Sequence, residues 1–368
     1  MQIIRTIFVL SILLVGSSQC SISQSFKLQD FYTENTALDE QVEEVYERLS
    51  AEERVAQMII ASLGRLGKPY ETIEPLIKDH KIGGIIFLSG DPDQFREDIA
   101  SINTLSEGFP LLMSMDAEPS LFNRRMPGTP EVGPTNSLTS PEAVRSAVAT
   151  IDETLNDIGF QHNYAPVIDV SPNNEAIGNR SFGSDSTTIV PLALAFVEAT
   201  QRDEILATAK HFPGHGRVAG DTHKKLVYID GELTELGLYK PLIEAGVLSV
   251  MVGHIAVENN ERYNTNGMPS TLSPVIVTDL LREELGFEGL IITDAMNMGA
   301  VSEIPESTYL AAKAGCDLIL MPPHEVNTLS RILKETEQDP AFSKQIERSV
   351  KRIIRAKLCL GMEFTPND

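Results

Sequence analysis

Ala207-Thr-Ala-Lys-His-Phe-Pro-Gly-His-Gly-Arg-Val-Ala-Gly-Asp-Thr-His223 begins as an apolar strand and becomes, within a few residues, a polar loop. Strands inside parallel sheets are nearly continuous apolar runs, and functional side chains gather where such a strand gives way to a loop. Lys210 and His211 stand at that point, and the Pro-Gly-His-Gly turn after them lets the backbone lie close to a ligand. That turn alone is equally typical of a surface loop. The Lys-His pair before it and the Asp-Thr-His run at 221–223 favour an active-site loop.

Seven further apolar runs join this one. Together the eight predicted strands cover residues 56–62, 82–89, 111–116, 164–169, 205–211, 248–254, 289–294 and 317–322. Amphipathic helical segments lie between them and end at glycines, as at Gly159, Gly286, Gly315 and Gly361. We therefore predict an α/β fold, a (β/α)8 TIM-type barrel forming a single catalytic domain over residues 51–362, with a doubly wound open sheet as the alternative. No glycine-rich phosphate loop follows a strand, so nucleotide binding has no support.

The N-terminus has the pattern of an export signal. Arg5 precedes an apolar run over 6–16, and small residues follow, which predicts a signal peptide over residues 1–23; a buried N-terminal strand is the alternative. Cys20 follows small residues and is a candidate for lipid attachment, although Gln19 fits that signal poorly. We expect an exported protein, either periplasmic or anchored in the membrane as a lipoprotein. Residues 24–50 are predicted to form a tether and a first helix.

Composition limits the partners. The formal net charge is −22 and the pI is about 4.7, which argues against nucleic acid or an anionic membrane surface as a partner. Cys316 and Cys359 lie in apolar runs and are predicted to be buried free thiols. A metal site is disfavoured because His211 and His215 flank a Pro-Gly turn instead of sharing one helical face. We predict no metal and no cofactor, and oligomeric state stays open.

Polar residues close several of the predicted strands. In a parallel barrel the carboxyl ends of all strands open on one face, so these side chains are expected to converge in one pocket. For Asp169 a second interpretation, as the N-cap of a following helix, is equally open. The strand-end residues are Asp116, Asp169, Lys210, His211, His254 and Asp294.

Two stretches resemble a known family. Residues 210–216 followed by Asp221-Thr222-His223, together with Ile292-Thr-Asp-Ala-Met-Asn-Met-Gly-Ala300, resemble glycoside hydrolase family 3, in particular its single-domain β-N-acetylglucosaminidase branch. The resemblance extends over about residues 50–360. Shorter matches at 163–170, 177–183 and 250–255 support it.

The resemblance implies roles for individual residues. Asp294 matches the family's nucleophile, His223 its acid/base, and Asp221 the carboxylate that orients that histidine. A retaining glycosidase needs such a carboxylate and a group that first donates and then accepts a proton, for which an imidazole of pKa about 6.5 is suited. An Asx-type turn is the structural alternative for Asp-Thr-His. Substrate-binding roles are implied for Asp116, Arg124, Arg180, Lys210, His211, His254 and Met298.

The chain departs from the family pattern at two places. Pro119-Ser-Leu-Phe122 stands where the family has Gly-Gly-Arg-Val, which removes an arginine beside the expected sugar site. Arg124 or Arg125 could compensate, and the sequence does not say which. Lys224 and Lys225 follow His223, where relatives often carry small or apolar residues. The natural substrate is therefore open.

The resemblance implies a retaining exo-β-N-acetylglucosaminidase that forms a covalent glycosyl-aspartate, and with the export signal we expect it to act outside the cytoplasm on terminal GlcNAc of peptidoglycan fragments or chitooligosaccharides. His223 is expected to lie on a mobile loop that closes over bound sugar. Three alternatives stay open: a β-glucosidase or xylosidase of the same family, a GlcNAc phosphorylase, and a non-catalytic sugar-binding lipoprotein.

Overall fold

Eight parallel strands form a barrel. The structure, a computed structural model, describes residues 25–365 apart from 172, 173, 175 and 219. In space the barrel strands follow the order β10-β1-β2-β3-β4-β5-β7-β9, and a bridge between Ile292 and Leu318 joins the last strand to the first. The predicted (β/α)8 barrel is confirmed and the open sheet is excluded. The barrel strands are β1 Ile59–Leu63, β2 Gly84–Phe87, β3 Leu112–Met115, β4 His162–Asn163, β5 Leu206–Phe212, β7 Ser249–Val252, β9 Leu290–Thr293 and β10 Ile319–Leu320.

Helices surround the barrel and cover its apolar outer face. The helix starting at Pro141 shows how sequence sets the bounds: the side chain of Ser140 caps its first turn, and Gly159 ends it in the left-handed conformation. A π-helical segment, Val275–Glu284, stands between α8 and α9. The α-helices are α1 Thr36–Arg48, α2 Ala51–Ala56, α3 Tyr70–Lys78, α4 Pro92–Leu105, α5 Pro119–Arg125, α6 Pro141–Ile158, α7 Ser186–Arg202, α8 Leu236–Glu244, α9 Ser307–Ala314, α10 Glu325–Gln338 and α11 Pro340–Cys359.

Two details of the predicted strands are wrong. The fourth strand is β4 at His162–Asn163, and residues 164–169 run on as irregular backbone with one bridge from Val167 to Lys210. Pro166 explains this, because proline lacks the N–H that a central strand must donate. In addition, β6 Val227–Asp230 and β8 Ile255–Glu258, which were not predicted, pair in parallel as a separate small sheet.

The N-terminal segment packs on the outside of the barrel. Leu38, Val42 and Val45 of α1 are buried, as their helical spacing indicates. Arg355 of α11 donates to the carbonyl oxygens of Phe31 at 2.6 Å and of Thr33. The predicted signal peptide, with Cys20, lies outside the described residues. Within the described part of the chain, no helix combines the length and apolar character needed to cross a bilayer.

A lysine lies buried at the amino end of the barrel. The Nζ atom of Lys357 donates to Gln57 Oε1 at 2.6 Å, to the Pro110 carbonyl at 2.7 Å and to the Gly83 carbonyl at 2.8 Å. These three acceptors sit at the starts of neighbouring strands, so the ammonium group ties that end of the barrel together. Burial lowers the pKa of Lys357 to about 7. Cys316 and Cys359 are buried free thiols, as predicted.

Candidate active site

A cavity of about 570 Å³ opens at the carboxyl end of the barrel. Such a position is where active sites of this architecture lie. Its walls come from the loops after most of the barrel strands, so residues far apart in sequence converge there. Of the predicted site residues, Asp116, Arg124, Arg180, Lys210, His211, Asp221, His223, Asp294 and Met298 all line it.

Asp294 follows β9 directly and faces this cavity. Its backbone N–H donates to the Val252 carbonyl at 2.9 Å, and its Oδ1 accepts the Ala295 N–H at 2.8 Å. Burial alone would raise the pKa of Asp294, but the neighbouring imidazoles of His211 and His254 outweigh it and hold that pKa below its usual range. The group is therefore an ionised carboxylate with a fixed orientation.

Asp169 is a buried carboxylate that organises the loop after β5. Its Oδ2 lies 2.7 Å from His211 Nδ1, and its Oδ1 accepts the His215 N–H at 2.8 Å. Burial opposes ionisation, yet the charge and hydrogen bonds of His211 lower the pKa of Asp169. The alternative interpretation as a helix N-cap is wrong. The carboxylate instead fixes the ring of His211, which lines the cavity.

Four charged side chains form a network where β3 and β5 end and on the loop after β4. Lys210 Nζ lies 2.5 Å from Asp116 Oδ1 and 3.4 Å from Glu118 Oε2. Glu118 also accepts from the guanidinium of Arg180, whose Nη2 is 3.2 Å from Glu118 Oε2. Glu118 is fully buried and was not among the predicted site residues. Its signal in the sequence is the Asp-Ala-Glu spacing, which on extended backbone turns both carboxylates to the same side.

The departure at residues 119–122 forms part of α5. Leu121 and Phe122 are buried, and Ser120 donates to the Asn179 carbonyl at 2.8 Å. At the other end of this helix both arginines line the cavity: Arg125 Nη2 lies 3.4 Å from Asp116 Oδ2, whereas the Arg124 side chain is exposed. Of the two arginines that the sequence left open, Arg125 is the one that pairs with Asp116.

Asp221 and His223 form a pair on the β5 loop, which spans residues 213–226. Asp221 Oδ1 lies 2.7 Å from His223 Nδ1 and accepts the His223 N–H at 3.0 Å. These bonds outweigh burial and lower the pKa of Asp221. Because the Asp221 carboxylate accepts a hydrogen bond from Nδ1–H, Nε2 is left to exchange protons with a ligand. The His223 side chain is 62% exposed, so it stands at the cavity mouth.

The β5 loop rests on the loop after β9. Gly299 donates its N–H to the His223 carbonyl at 3.2 Å. A Cβ atom at residue 299 would come within 2.8 Å of the Lys224 carbonyl oxygen, so only glycine fits this approach. Within the β5 loop, His215 Nε2 lies 3.2 Å from Thr222 Oγ1. The segment with the proposed acid/base is thus docked beside the one with Asp294.

His254 does not line the cavity, which corrects the expectation of a ligand contact. Strand β7 ends at Val252, and the fully buried ring lies behind the wall. His254 Nδ1 is 2.7 Å from Thr271 Oγ1, and Nε2 is 3.0 Å from the Ala295 carbonyl oxygen. Burial lowers the pKa of His254, and the ring supports the backbone beside Asp294.

The part of the chain that the structure describes contains no metal-binding cluster. There, no cluster of three or more His, Cys, Asp or Glu side chains has the arrangement to hold an ion.

Comparison with known proteins gives a consistent match. The family model described as "Glycosyl hydrolase family 3 N terminal domain" matches residues 50–356. The chain is 28% identical to "Beta-hexosaminidase A" of Pseudoalteromonas piscicida, over 77% of this chain and 54% of that protein. It is also 28% identical to "Beta-hexosaminidase LpqI" of Mycobacterium tuberculosis, over 84% of this chain and 83% of that protein. The chain thus spans about half the length of the first of these curated relatives and most of the second.

A solved structure agrees with these sequence matches. A glycoside hydrolase family 3 β-N-acetylglucosaminidase from Paenibacillus sp. str. FPU-7 superposes with a TM-score of 0.78 at 28% identity. The match covers 85% of this chain and 63% of that one.

Proposed function

The chain belongs to glycosyl hydrolase family 3, and from that premise we propose that it is a retaining exo-β-N-acetylglucosaminidase. It removes terminal β-linked GlcNAc from peptidoglycan fragments or chitooligosaccharides. The reaction takes place outside the cytoplasm, in the periplasm or on a lipid anchor at Cys20, and the export signal predicted at residues 1–23 supports this part of the proposal. The names of the two hexosaminidase relatives support the sugar specificity.

One observation carries the proposal: a carboxylate held ionised and a His-Asp pair line the same cavity. In the first step a carboxylate oxygen of Asp294 attacks the anomeric carbon while His223 gives its Nε2 proton to the departing oxygen. The C–O bond to the aglycone breaks and a glycosyl-aspartate forms. In the second step His223 takes a proton from water, whose oxygen displaces Asp294 from the anomeric carbon. Asp221 stabilises the imidazolium of the resting acid.

The network of Asp116, Glu118, Arg180 and Lys210, which we call the charged wall, is suited to hold the terminal sugar. Lys210 is paired with Asp116, and Arg180 with Glu118, before a ligand enters, so little side-chain freedom is lost on binding. Charged donors and acceptors make stronger hydrogen bonds to hydroxyl groups than neutral ones do. His211, oriented by Asp169, offers its Nε2 atom to the same space.

The test compares hydrolysis of aryl β-GlcNAc and aryl β-glucoside by the wild-type protein and by Asp294→Asn. We expect GlcNAc release that Asp294→Asn abolishes. The control is Asp339→Asn, which exchanges one good N-cap residue for another at the start of α11 and should keep full activity. Release of glucose in preference to GlcNAc would overturn the proposal. Equal activity of Asp294→Asn and the control Asp339→Asn would overturn it as well.

A second variant tests the covalent step. His223→Ala should lower kcat by about 10²- to 10⁴-fold, the usual share of general acid-base catalysis. With a dinitrophenyl leaving group, which departs without protonation, the glycosyl-enzyme should accumulate because its hydrolysis still needs the base. Mass spectrometry should then find one added N-acetylhexosaminyl group on the peptide that contains Asp294. Adding inorganic phosphate to the wild-type assay distinguishes hydrolysis from phosphorolysis, since only the latter yields GlcNAc 1-phosphate.

A further inference from the structure

Glu235 joins two loops of the active-site face without lining the cavity. It occupies the N-cap position of α8 and is 4% exposed. Its Oε2 accepts the N–H of Val170 at 2.8 Å, and its Oε1 accepts the N–H of Arg217 at 3.2 Å. Val170 belongs to the loop that leads to Arg180, and Arg217 belongs to the β5 loop that carries His223. We call this arrangement of one carboxylate and two backbone N–H groups the loop junction.

The two glycines of the Pro-Gly-His-Gly turn are explained by the loop junction. A Cβ atom at Gly214 would lie 2.5 Å from Glu235 Cβ. A Cβ atom at Gly216 would lie 1.7 Å from the Val170 carbonyl oxygen. No side chain fits at either distance, so both residues are glycine because two backbones and the Glu235 side chain meet there. The turn therefore serves the contact between loops as well as the cavity.

Beyond the loop junction the β5 loop keeps the Gly299 contact at His223 but has little apolar burial. Val218, Val227 and Ile255 form a small apolar cluster that is separate from the main core. Asn174 adds a second tie to the neighbouring loop, since its Nδ2 donates to the carbonyl oxygens of His215 at 2.9 Å and Val218 at 2.7 Å. With so little apolar burial to hold it, the loop is positioned mainly by hydrogen bonds at its root.

A buried carboxylate at this place costs free energy. Burial, together with the charge of Asp169, raises the pKa of Glu235 to about 7. A neutral side chain would avoid that cost. What the carboxylate supplies is a pair of acceptor oxygens, spaced to hold one N–H from each loop. The carboxylate therefore serves to fix the relative position of the two loops, and not only to stabilise the barrel.

We propose that Glu235 is a positioning residue for proton transfer. By holding the root of the β5 loop against the loop of Arg180, it places His223 within reach of the glycosidic oxygen of a sugar bound at the charged wall. The inference rests on the proposed function, and it adds that Glu235 acts through His223 and not through Asp294.

The leaving group provides the test, because only poor leaving groups need the acid. In Glu235→Ala, kcat for N,N′-diacetylchitobiose should fall about 10- to 100-fold, as expected for a misplacement near 1 Å, with KM changed less than about 3-fold. The pre-steady-state burst with dinitrophenyl β-GlcNAc should keep its wild-type rate, since that step needs Asp294 alone. Azide, a nucleophile that needs no base, should restore steady-state turnover of the dinitrophenyl substrate. Glu235→Gln keeps one acceptor oxygen and should lie between wild type and Glu235→Ala.

A second measurement, amide hydrogen exchange, tests the proposal independently of catalysis. Amide hydrogen exchange of residues 216–226 should speed up in Glu235→Ala and in Asn174→Ala, without any sugar present. The control is Gln201→Ala, which removes a side-chain amide that bridges the Gly246 carbonyl and the Leu248 N–H at the other end of β7. It should leave both the exchange and the leaving-group dependence unchanged.

Some outcomes would overturn the proposal. Equal losses for both leaving groups, a slowed burst, or unchanged exchange in residues 216–226 would show that Glu235 does not act on His223. Absence of GlcNAc release by the wild type would instead refute the proposed function. In that case faster exchange of the loop in Glu235→Ala would still demonstrate the loop junction, whereas unchanged exchange would refute it too.

Discussion

Asp152 of α6 offers a sharp test of how burial shifts a pKa in this barrel. The side chain is fully buried against α7. Beside it lies the Thr200 hydroxyl of α7, whose interaction with the carboxylate offsets only part of the effect of burial on the pKa of Asp152. Burial, aided by the charge of Asp203, raises the pKa of Asp152 from 3.8 to about 7. The folded protein therefore keeps a proton that the unfolded chain releases in weak acid.

The sign and size of the effect follow from proton linkage. Between the two pKa values the native state binds one more proton than the unfolded state, so stability falls as pH rises. A pKa difference of about 3 units corresponds to about 4 kcal/mol, and about 2.5 kcal/mol of this falls between pH 5 and pH 8. Asp152→Asn removes the titration. Any cost of the unpaired amide is the same at every pH, so only the difference in slope counts.

The measurement is the free energy of unfolding by urea, for wild type and Asp152→Asn, at several pH values from 5 to 8. The variant should gain about 2.5 kcal/mol relative to wild type over that range. Asp91→Asn, at the exposed N-cap of α4, is the matched control and should give a curve parallel to wild type. Parallel curves for Asp152→Asn as well would refute the reasoning, because they would show that the carboxyl group does not titrate abnormally.

Three further predictions concern the loops and the barrel. Gly216→Ala should lower kcat and stability together because its Cβ would meet the Val170 carbonyl oxygen, whereas Gly237→Ala, with open space at a helical position, should stabilise α8 by about 0.5–1 kcal/mol in urea unfolding. Lys357→Met should lower the Tm markedly, since each buried acceptor left without a donor costs about 1–3 kcal/mol, and an unchanged Tm would contradict that role. A thiol reagent should modify Cys316 only after unfolding, as mapped by mass spectrometry, because the residue is buried and burial raises the pKa of its thiol; labelling in the native state would contradict this.

The sequence was sufficient to predict the barrel and most of the cavity wall, for a physical reason. Apolar runs that end in polar residues report strand ends, and parallel strands bring those ends to one face. His254 shows the limit of this rule. It lies two residues beyond the end of β7, and its ring packs behind the wall instead of facing the cavity. A shift of one or two residues at a strand end decides which way a side chain points.

Other features depend on contacts that no local pattern contains. Glu118 pairs with Arg180 across 62 residues, and Glu235 accepts from Val170 across 65 residues. The Asp-Ala-Glu spacing relates Glu118 to Asp116 but not to Arg180, and no spacing or composition marks Glu235. The small sheet of β6 and β8 was missed because β6 is partly exposed and lacks a continuous apolar run, and because β8 follows almost directly on the strand predicted at 248–254.

The side chains of Glu235 and Asn174 hold the β5 loop through atoms of its main chain. Glu235 accepts from backbone N–H groups, and Asn174 donates to backbone carbonyls of the same loop. Because these contacts do not involve the side chain of Arg217, exposed positions of the loop can change and leave its path intact, provided that Gly214, Gly216 and the Val218 cluster remain. Protein engineers could therefore vary the exposed positions around Asp221 and His223, altering which aglycones the loop meets without rebuilding the scaffold that holds it.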